Sequence, residues 1–180
     1  HLKSLYGVDY RPEDQILVTV GVSEALDLAL RAILDPGDEA IIFEPCYVSY
    51  APCVTFAGGT PVRIPTFAED GFLPRLNDVR AAVTPRTKAI LLSYPNNPTG
   101  ATADREFLAQ IEEIARDADC YLISDEIYDR LTYEGTHTCV SSLEGAAERT
   151  ILLNGFSKAY AMTGWRIGYA AAPPDVAEAM

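Results

Sequence analysis

The sequence contains few basic residues and only two histidines. Its 14 lysines and arginines stand against 26 aspartates and glutamates, which gives a formal net charge of −12, and the basic residues form no cluster. Nucleic acids and anionic membrane surfaces attract positive patches, so neither suits this chain. No apolar run approaches the roughly 20 residues of a membrane span. We therefore expect no nucleic acid and no membrane among its partners.

Cysteine is also scarce, and its spacing excludes the common cysteine-based sites. The four cysteines include no Cys-x-x-Cys pair, and only His1 and His137 could join them around a metal. A zinc site is therefore not expected. Cys46 and Cys120 lie inside apolar runs, where we expect buried, reduced thiols and hence a cytoplasmic protein.

Apolar runs that alternate with amphipathic segments predict an α/β fold. Several runs are apolar on both faces, as expected when helices cover both sides of a mostly parallel sheet in a three-layer α/β/α arrangement. Helices are predicted over Ser23–Leu34 and Ala103–Asp117, whose apolar residues recur on one face. The seven predicted strands are Gln15–Thr19, Glu39–Phe43, Thr60–Ile64, Thr87–Ser93, Cys120–Ser124, Thr150–Asn154 and Ile167–Ala172.

The chain of 180 residues is long enough for one such domain and too short for two. Its first residues have the pattern of a helix tail, and Asp175–Met180 has the pattern of the first turns of another helix. We therefore expect a piece of a longer protein, truncated at both ends.

Polar and glycine-rich segments follow four of the predicted strands. These segments are Gly21–Ser23, Tyr94–Asn97, Asp125–Glu126 and Gly155–Lys158. In open α/β sheets, ligands bind beyond the carboxyl ends of the strands. The sequence therefore predicts one site that is assembled from four loops.

Two features of these loops could serve a phosphate group. Residues 19–25 run from a strand through a glycine turn into a helix, whose N-terminus favours an anion. Taken alone, such a serine more often only caps its helix, and Ser23 could do the same. Arg166 could bind a phosphate with both prongs of its guanidinium, or it could pair with a surface acid.

The remaining candidates also have two interpretations each. Asp125 ends a strand and would face water, unless it is buried and paired with a cation such as a protonated pyridine nitrogen. Most lysines are solvated surface charges, but Lys158 in a cleft could be a nucleophilic amine. Tyr47 could stack on a planar ring or fill the core. Asn97 could bind a ligand or only shape a turn.

The order of these residues along the chain is more specific than any one of them. The motifs are Gly-x-Ser-Glu-Ala, Pro-x-Tyr-x-x-Tyr, Asn-Asn-Pro-Thr-Gly, Asp-Glu-x-Tyr, Ser-Lys-x-x-x-Met-Thr-Gly-Trp-Arg and Gly-Tyr. Together they resemble the class I/II aminotransferases, which are fold-type-I enzymes that use pyridoxal 5'-phosphate (PLP). The resemblance covers essentially the whole chain, and the block from Lys158 to Tyr169 is very specific.

The resemblance implies roles for five residues around the cofactor ring. Lys158 would bind PLP as the internal aldimine and would later move the substrate proton. Asp125 would pair with the protonated pyridine nitrogen. Tyr128 and Asn97 would hydrogen-bond the ring's phenolic oxygen, Asn97 would also contact the substrate, and Tyr47 would stack on the ring.

The resemblance also implies a phosphate site made of Val22, Ser23 and Arg166. Gly155 departs from the family pattern, because many relatives carry there a serine that binds the phosphate, and the site is expected to be one donor short. The whole enzyme would move an amino group from an amino acid to a 2-oxo acid, of the aspartate or aromatic type, as a homodimer. These 180 residues would be its large domain, without the N-terminal segment and the small domain, and nearly inactive alone.

Other functions share this core. A C–S lyase or an aminocyclopropane-carboxylate synthase would keep the cofactor and change the reaction. A transcription regulator would use the fold only to bind a ligand, but the joint presence of Lys158, Asp125, Tyr128 and Arg166 favours an enzyme. A nucleotide-binding α/β protein is disfavoured, because the chain has neither a Gly-x-Gly-x-x-Gly motif nor a P-loop.

Overall fold

A seven-stranded sheet forms the centre of the computed structural model, which describes residues 1–180. The strand order is β1-β7-β6-β5-β4-β2-β3. The strands are β1 (Ile16–Thr19), β2 (Glu39–Glu44), β3 (Thr60–Pro65), β4 (Thr87–Leu92), β5 (Tyr121–Asp125), β6 (Thr150–Gly155) and β7 (Gly168–Ala171). The predicted α/β class is confirmed, and each predicted strand bound lies within about one residue of the observed bound.

The sheet is mostly parallel, as predicted. β3, β2, β4, β5 and β6 run in the same direction, whereas β7 is antiparallel to both of its neighbours, β6 and β1. The start of β7 therefore lies at the same edge of the sheet as the carboxyl ends of the other strands. Every loop of the predicted site leaves or enters the sheet at this edge.

Helices cover both faces of the sheet. Ala89 and Leu91 of β4 pack into one core and Ile90 and Leu92 into the other, since successive side chains of a strand point to opposite faces. The first core also holds residues of α2 (Val22–Ile33), α3 (Tyr50–Phe56) and α6 (Pro174–Ala179). On the other face lie α1 (Leu2–Tyr6), α4 (Leu76–Ala82) and α5 (Arg105–Asp117). This arrangement is the expected three-layer sandwich.

Two helices, α3 and α4, were not predicted from the sequence. Each has seven residues, which is just under two turns, so its periodicity is too short to be recognised. Pro52 lies in the first turn of α3, where backbone N–H groups form no hydrogen bond within the helix, so proline is tolerated there. The start of α5 is also two residues later than predicted, because Asp104 caps it by accepting a hydrogen bond from the backbone N–H of Phe107 (2.8 Å).

The four cysteines are free thiols. Cys120 is buried as expected, but Cys46 is only half-buried because it lies in the loop between β2 and α3. Burial raises the pKa of both thiols to about 11. No helix of the chain is both long enough and apolar enough to cross a membrane.

Candidate active site

A cavity of about 250 Å³ opens at the edge where the carboxyl ends of the parallel strands meet. All eight residues that the sequence singled out contribute to its wall. They are Val22, Ser23, Tyr47, Asn97, Asp125, Tyr128, Lys158 and Arg166. The fold therefore brings the four predicted loops together, while the roles of these residues toward a cofactor remain predictions.

One end of the cavity is the N-terminus of α2. Gly21 is the residue before the helix, with a φ of 78° that favours glycine, and no side chain caps the helix. Ser23 is the second helical residue and is exposed, so the interpretation of Ser23 as a cap is wrong. The backbone N–H groups of Val22 and Ser23 donate to no group of the protein, as expected in the first turn of a helix.

Arg166 lies directly against the start of α2. Its guanidinium donates to the backbone carbonyls of Thr163 (3.0 Å) and Val20 (3.3 Å). A Cβ atom on Gly21 would stand only 2.5 Å from Arg166 Nη2, so a side chain at position 21 would displace the guanidinium from this place. Arg166 forms no ion pair with a surface acid, and its charge adds to the positive end of the α2 dipole.

Two further glycines bring β7 close to the other elements at this end. A Cβ atom on Gly168 would lie 2.6 Å from the carbonyl carbon of Gly21, so the start of β7 packs against the start of α2. A Cβ atom on Gly155 would lie 2.9 Å from the carbonyl oxygen of Ile167. The missing serine at position 155 therefore has a structural reason, because a side chain there would push β6 and β7 apart.

Asp125, another residue of the cavity wall, is buried, with 6 % of its surface exposed. Its carboxylate accepts hydrogen bonds from the Tyr50 hydroxyl (2.7 Å) and the Ile127 N–H (3.2 Å), and no basic side chain lies within ion-pair distance. The pKa of Asp125 is raised from its ordinary 3.8 to about 6, and burial is the largest cause. The hydrogen bonds from Tyr50 and Ile127 and the charge of Lys158 oppose this rise, whereas the negative charge of Glu126 contributes to it.

The neighbouring acid, Glu126, is not part of the cavity. Its carboxylate pairs with His137 Nε2 at 2.8 Å and accepts a hydrogen bond from the N–H of Val140 (2.9 Å). Asp125 is the last residue of β5, and the next side chain points to the opposite face of the sheet. Of these two buried acids, only Asp125 faces the cavity.

Lys158 and Tyr128 also belong to the wall and lie side by side. Lys158 Nζ lies 5.8 Å from the centroid of the Tyr128 ring, close enough for a cation–π contact. Lys158 follows β6 in a turn that is held by a hydrogen bond from the Thr163 hydroxyl to the carbonyl of Ser157 (2.9 Å). Lys158 is exposed, and its amino group forms no hydrogen bond and no ion pair within the protein, so it is unpaired at the wall of the cavity.

Asn97 and Tyr47 form the remaining wall. The turn-shaping role proposed for Asn97 belongs instead to Asn96, whose side-chain oxygen accepts hydrogen bonds from the N–H (3.2 Å) and hydroxyl (2.8 Å) of Thr99. The Asn97 amide is thus left to face the cavity. The Tyr47 ring is 37 % exposed and meets the Tyr50 ring edge to face, with centroids 5.6 Å apart.

Five wall residues were missed by the sequence analysis. They are Leu26, Tyr50, Ile127, Ser157 and Thr163. Three of them had a usable signal: Tyr50 is the second tyrosine of the Pro-x-Tyr-x-x-Tyr motif, and Ser157 and Thr163 belong to the Ser-Lys-x-x-x-Met-Thr-Gly-Trp-Arg motif. For Leu26 and Ile127, only the packing shows that they reach the cavity.

The site is thus a cavity at the carboxyl edge of the sheet in an α/β/α fold, lined by an unpaired lysine, a buried acid and a basic helix N-terminus. The chain belongs to the aminotransferase class I and II family, whose model matches residues 1–180. The resemblance inferred from the motifs is therefore confirmed.

Similar proteins cover nearly the whole chain. The aspartate/prephenate aminotransferase of Thermus thermophilus is 50 % identical over 174 residues, which are 97 % of this chain and 44 % of that protein. A structure of the aspartate aminotransferase from Thermus thermophilus with maleate has a TM-score of 0.95 at 48 % identity and covers 99 % of this chain and 46 % of that chain. The aromatic aminotransferase structure from Pyrococcus horikoshii has a TM-score of 0.96 at 41 % identity, and the match covers 99 % of this chain and 48 % of that chain. The chain thus spans about half the length of the relatives it matches.

Proposed function

We propose that the whole protein is a PLP-dependent aminotransferase that moves an amino group from an amino acid to a 2-oxo acid, and that these 180 residues are its large, cofactor-binding domain. The observation that carries this proposal is that Lys158 and Asp125 line the same cavity. An unpaired lysine amino group and a buried carboxylate without a basic partner are the two groups that a pyridine aldehyde needs.

The residues at each end of the cavity fit the two ends of PLP. The buried Asp125 carboxylate needs a cationic partner, which the protonated pyridine nitrogen would supply. The free N–H groups of Val22 and Ser23, the Ser23 hydroxyl and Arg166 form a basic end that suits the phosphate.

The same cavity also offers groups for the ring and for the reaction. The exposed Tyr47 ring would stack on the cofactor ring, and Asn97 and Tyr128 would donate to its phenolic oxygen. Bound PLP would supply an electron-poor ring that stabilises negative charge on the substrate Cα. Lys158 Nζ would hold the cofactor covalently and, once displaced by the amino acid, would accept the proton from the substrate Cα.

The comparisons favour amino-group transfer over the alternative reactions. The relatives described above are all named aminotransferases, of aspartate/prephenate, aspartate or aromatic type. We therefore propose an aspartate or aromatic amino acid as the donor for this protein. Neither the lyase, the synthase nor the transcription regulator is supported by a feature of the cavity. A homodimeric state and a cytoplasmic location are further parts of the proposal that rest on the resemblance.

Covalent labelling tests the proposal at its centre. The protein is mixed with PLP, the visible absorbance of the imine is recorded, and borohydride then fixes the cofactor to the lysine that carries it. We expect peptide mapping to find the reduced cofactor on Lys158 and the Lys158→Ala variant to lose the label. Lys88→Ala is the matched control, because Lys88 is the exposed lysine of β4. A label that stays in Lys158→Ala, or that maps to Lys3 or Lys88, contradicts the proposal.

The donor is tested separately, with a panel of amino acids and 2-oxo acids on the PLP-loaded whole protein. We expect aspartate or an aromatic amino acid to give the fastest formation of the matching 2-oxo acid. Release of a sulfur compound or of aminocyclopropane-carboxylate instead would show that one of the alternative reactions is correct.

A further inference from the structure

Tyr50 connects two walls of the cavity that are far apart in the sequence. It is the first residue of α3 and is almost completely buried, with 2 % of its surface exposed. Its ring meets the ring of Tyr47 edge to face, and its hydroxyl donates to Asp125 Oδ2 at 2.7 Å. One side chain thus contacts both the residue expected to stack on the cofactor ring and the acid expected to pair with its nitrogen.

The hydrogen bonds to Asp125 fix the orientation of its carboxylate. Tyr50 donates to Oδ2, while the backbone N–H of Ile127 donates to Oδ1 at 3.2 Å. Each carboxylate oxygen therefore has one donor from the protein and keeps capacity for another on the cavity side. Without the Tyr50 hydroxyl, Oδ2 would have no donor from the protein, and the carboxylate could rotate about its side chain.

The Tyr50 hydroxyl is also a donor that keeps its proton. Burial raises the pKa of Tyr50 well above the usual value of a tyrosine, and the charge of Asp125 raises it further. Because this hydrogen bond is made to the ionised form of Asp125, it favours the charged carboxylate over the neutral acid. Tyr50 thus acts on the charge of Asp125 as well as on its direction.

We propose that Tyr50 is a positioning residue for the reaction, which aligns Asp125 as an ionised partner of the cofactor nitrogen and braces Tyr47 beneath the cofactor ring. This inference rests on the proposed PLP-dependent function. The Tyr50 hydroxyl would contact neither the cofactor nor the substrate. Tyr50 would act on the reaction through its hydrogen bond to Asp125.

The test compares Tyr50→Phe with a matched control, Tyr10→Phe. Both substitutions keep the buried ring and remove one hydroxyl, since Tyr10 donates to Ser141 Oγ at the same distance of 2.7 Å. Tyr10 packs in the core beside α1, on the face of the sheet opposite α3. The titration of Asp125 is followed in the cofactor-free protein by infrared difference spectroscopy, in which Asp125→Asn identifies the carboxyl band.

We expect Tyr50→Phe to raise the pKa of Asp125 above the wild-type value of about 6 and Tyr10→Phe to leave it unchanged. PLP affinity should decline at low pH as Asp125 becomes protonated, and in Tyr50→Phe this decline should begin at a higher pH. In the PLP-loaded whole protein, Tyr50→Phe should lower kcat about tenfold with little change in KM, the effect of losing one hydrogen bond to a charged group.

If the role of Tyr50 is purely structural, Tyr50→Phe should lose stability, as Tyr10→Phe does, while the Asp125 titration and the pH dependence of PLP affinity stay as in wild type. That result would overturn the inference. The outcome is separable from that of the proposed function. If wild-type protein fails to bind PLP through Lys158, the function itself is wrong; if wild-type protein binds PLP and Tyr50→Phe shifts neither profile, only the role of Tyr50 is wrong.

Discussion

Replacing Asp125 with asparagine should stabilise the cofactor-free protein at neutral pH, although it removes a residue of the proposed active site. The folded protein holds the Asp125 carboxyl with a pKa of about 6, raised from 3.8 by burial. Between these two pH values, the unfolded chain releases the proton that the folded chain keeps. The folded state therefore binds more protons there, and its stability falls as the pH rises from about 4 to about 6.

The size of this effect follows from the two pKa values. The two pKa values differ by 2.2, and each unit corresponds to about 1.4 kcal/mol. The wild-type protein therefore loses about 3 kcal/mol of its free energy of unfolding, and this loss is complete above about pH 7. Asparagine has the same shape and no charge, and its oxygen can still accept one of the two hydrogen bonds. The amide NH₂ is left with an imperfect partner, which costs about 1 kcal/mol, so we expect a net gain of about 2 kcal/mol at pH 8.

Urea denaturation of the cofactor-free wild type and of Asp125→Asn, at several values between pH 4 and pH 8, measures this gain. It should be largest at pH 8 and nearly absent at pH 4. PLP should reverse the order, because only the aspartate can pair with the pyridinium. Glu126→Gln is a contrasting control: Glu126 already pairs with His137 at 2.8 Å, so this variant should be destabilised. A gain that is the same at pH 4 and pH 8, or no gain at pH 8, would refute the reasoning.

Two other substitutions address the phosphate end of the cavity. Arg166→Ala should weaken PLP binding at least tenfold in a fluorescence titration. Pyridoxal, which lacks the phosphate, should bind to this variant as tightly as it binds to wild type. If the variant loses affinity equally for both ligands, Arg166 does not bind the phosphate. Gly155→Ser restores the hydroxyl that many relatives carry, but its Cβ would lie 2.9 Å from the carbonyl oxygen of Ile167. Urea denaturation should show a loss of about 1–3 kcal/mol, and tighter PLP binding with unchanged stability would show that β6 and β7 can accommodate a side chain.

The strands and the residues of the cavity could be predicted because each depends on local pattern. Ala89–Leu92 is apolar on both faces, a signal of a strand between two helical layers that needs no knowledge of its neighbours. Asp125 and Lys158 were found because they follow such strands, and the carboxyl ends of parallel strands meet at one edge. Short helices such as Tyr50–Phe56 carry too few turns for their periodicity to be recognised.

The sequence by itself thus determined the fold class, the edge of the sheet that holds the cavity, and the eight residues expected there. Only the tertiary structure decided the surroundings of Glu126, the acid next to Asp125, because its bonds to His137 and to the N–H of Val140 depend on what packs against the other face of β5. It also decided the partner of Asp125. The Tyr50 hydroxyl lies 75 positions away in the sequence and meets the carboxylate only because α3 packs on the face of the sheet toward which Asp125 points. A hydrogen bond between residues so far apart in the sequence leaves no local pattern by which it could be predicted. The charge of the buried Asp125 therefore depends on the folded chain and cannot be read from the sequence.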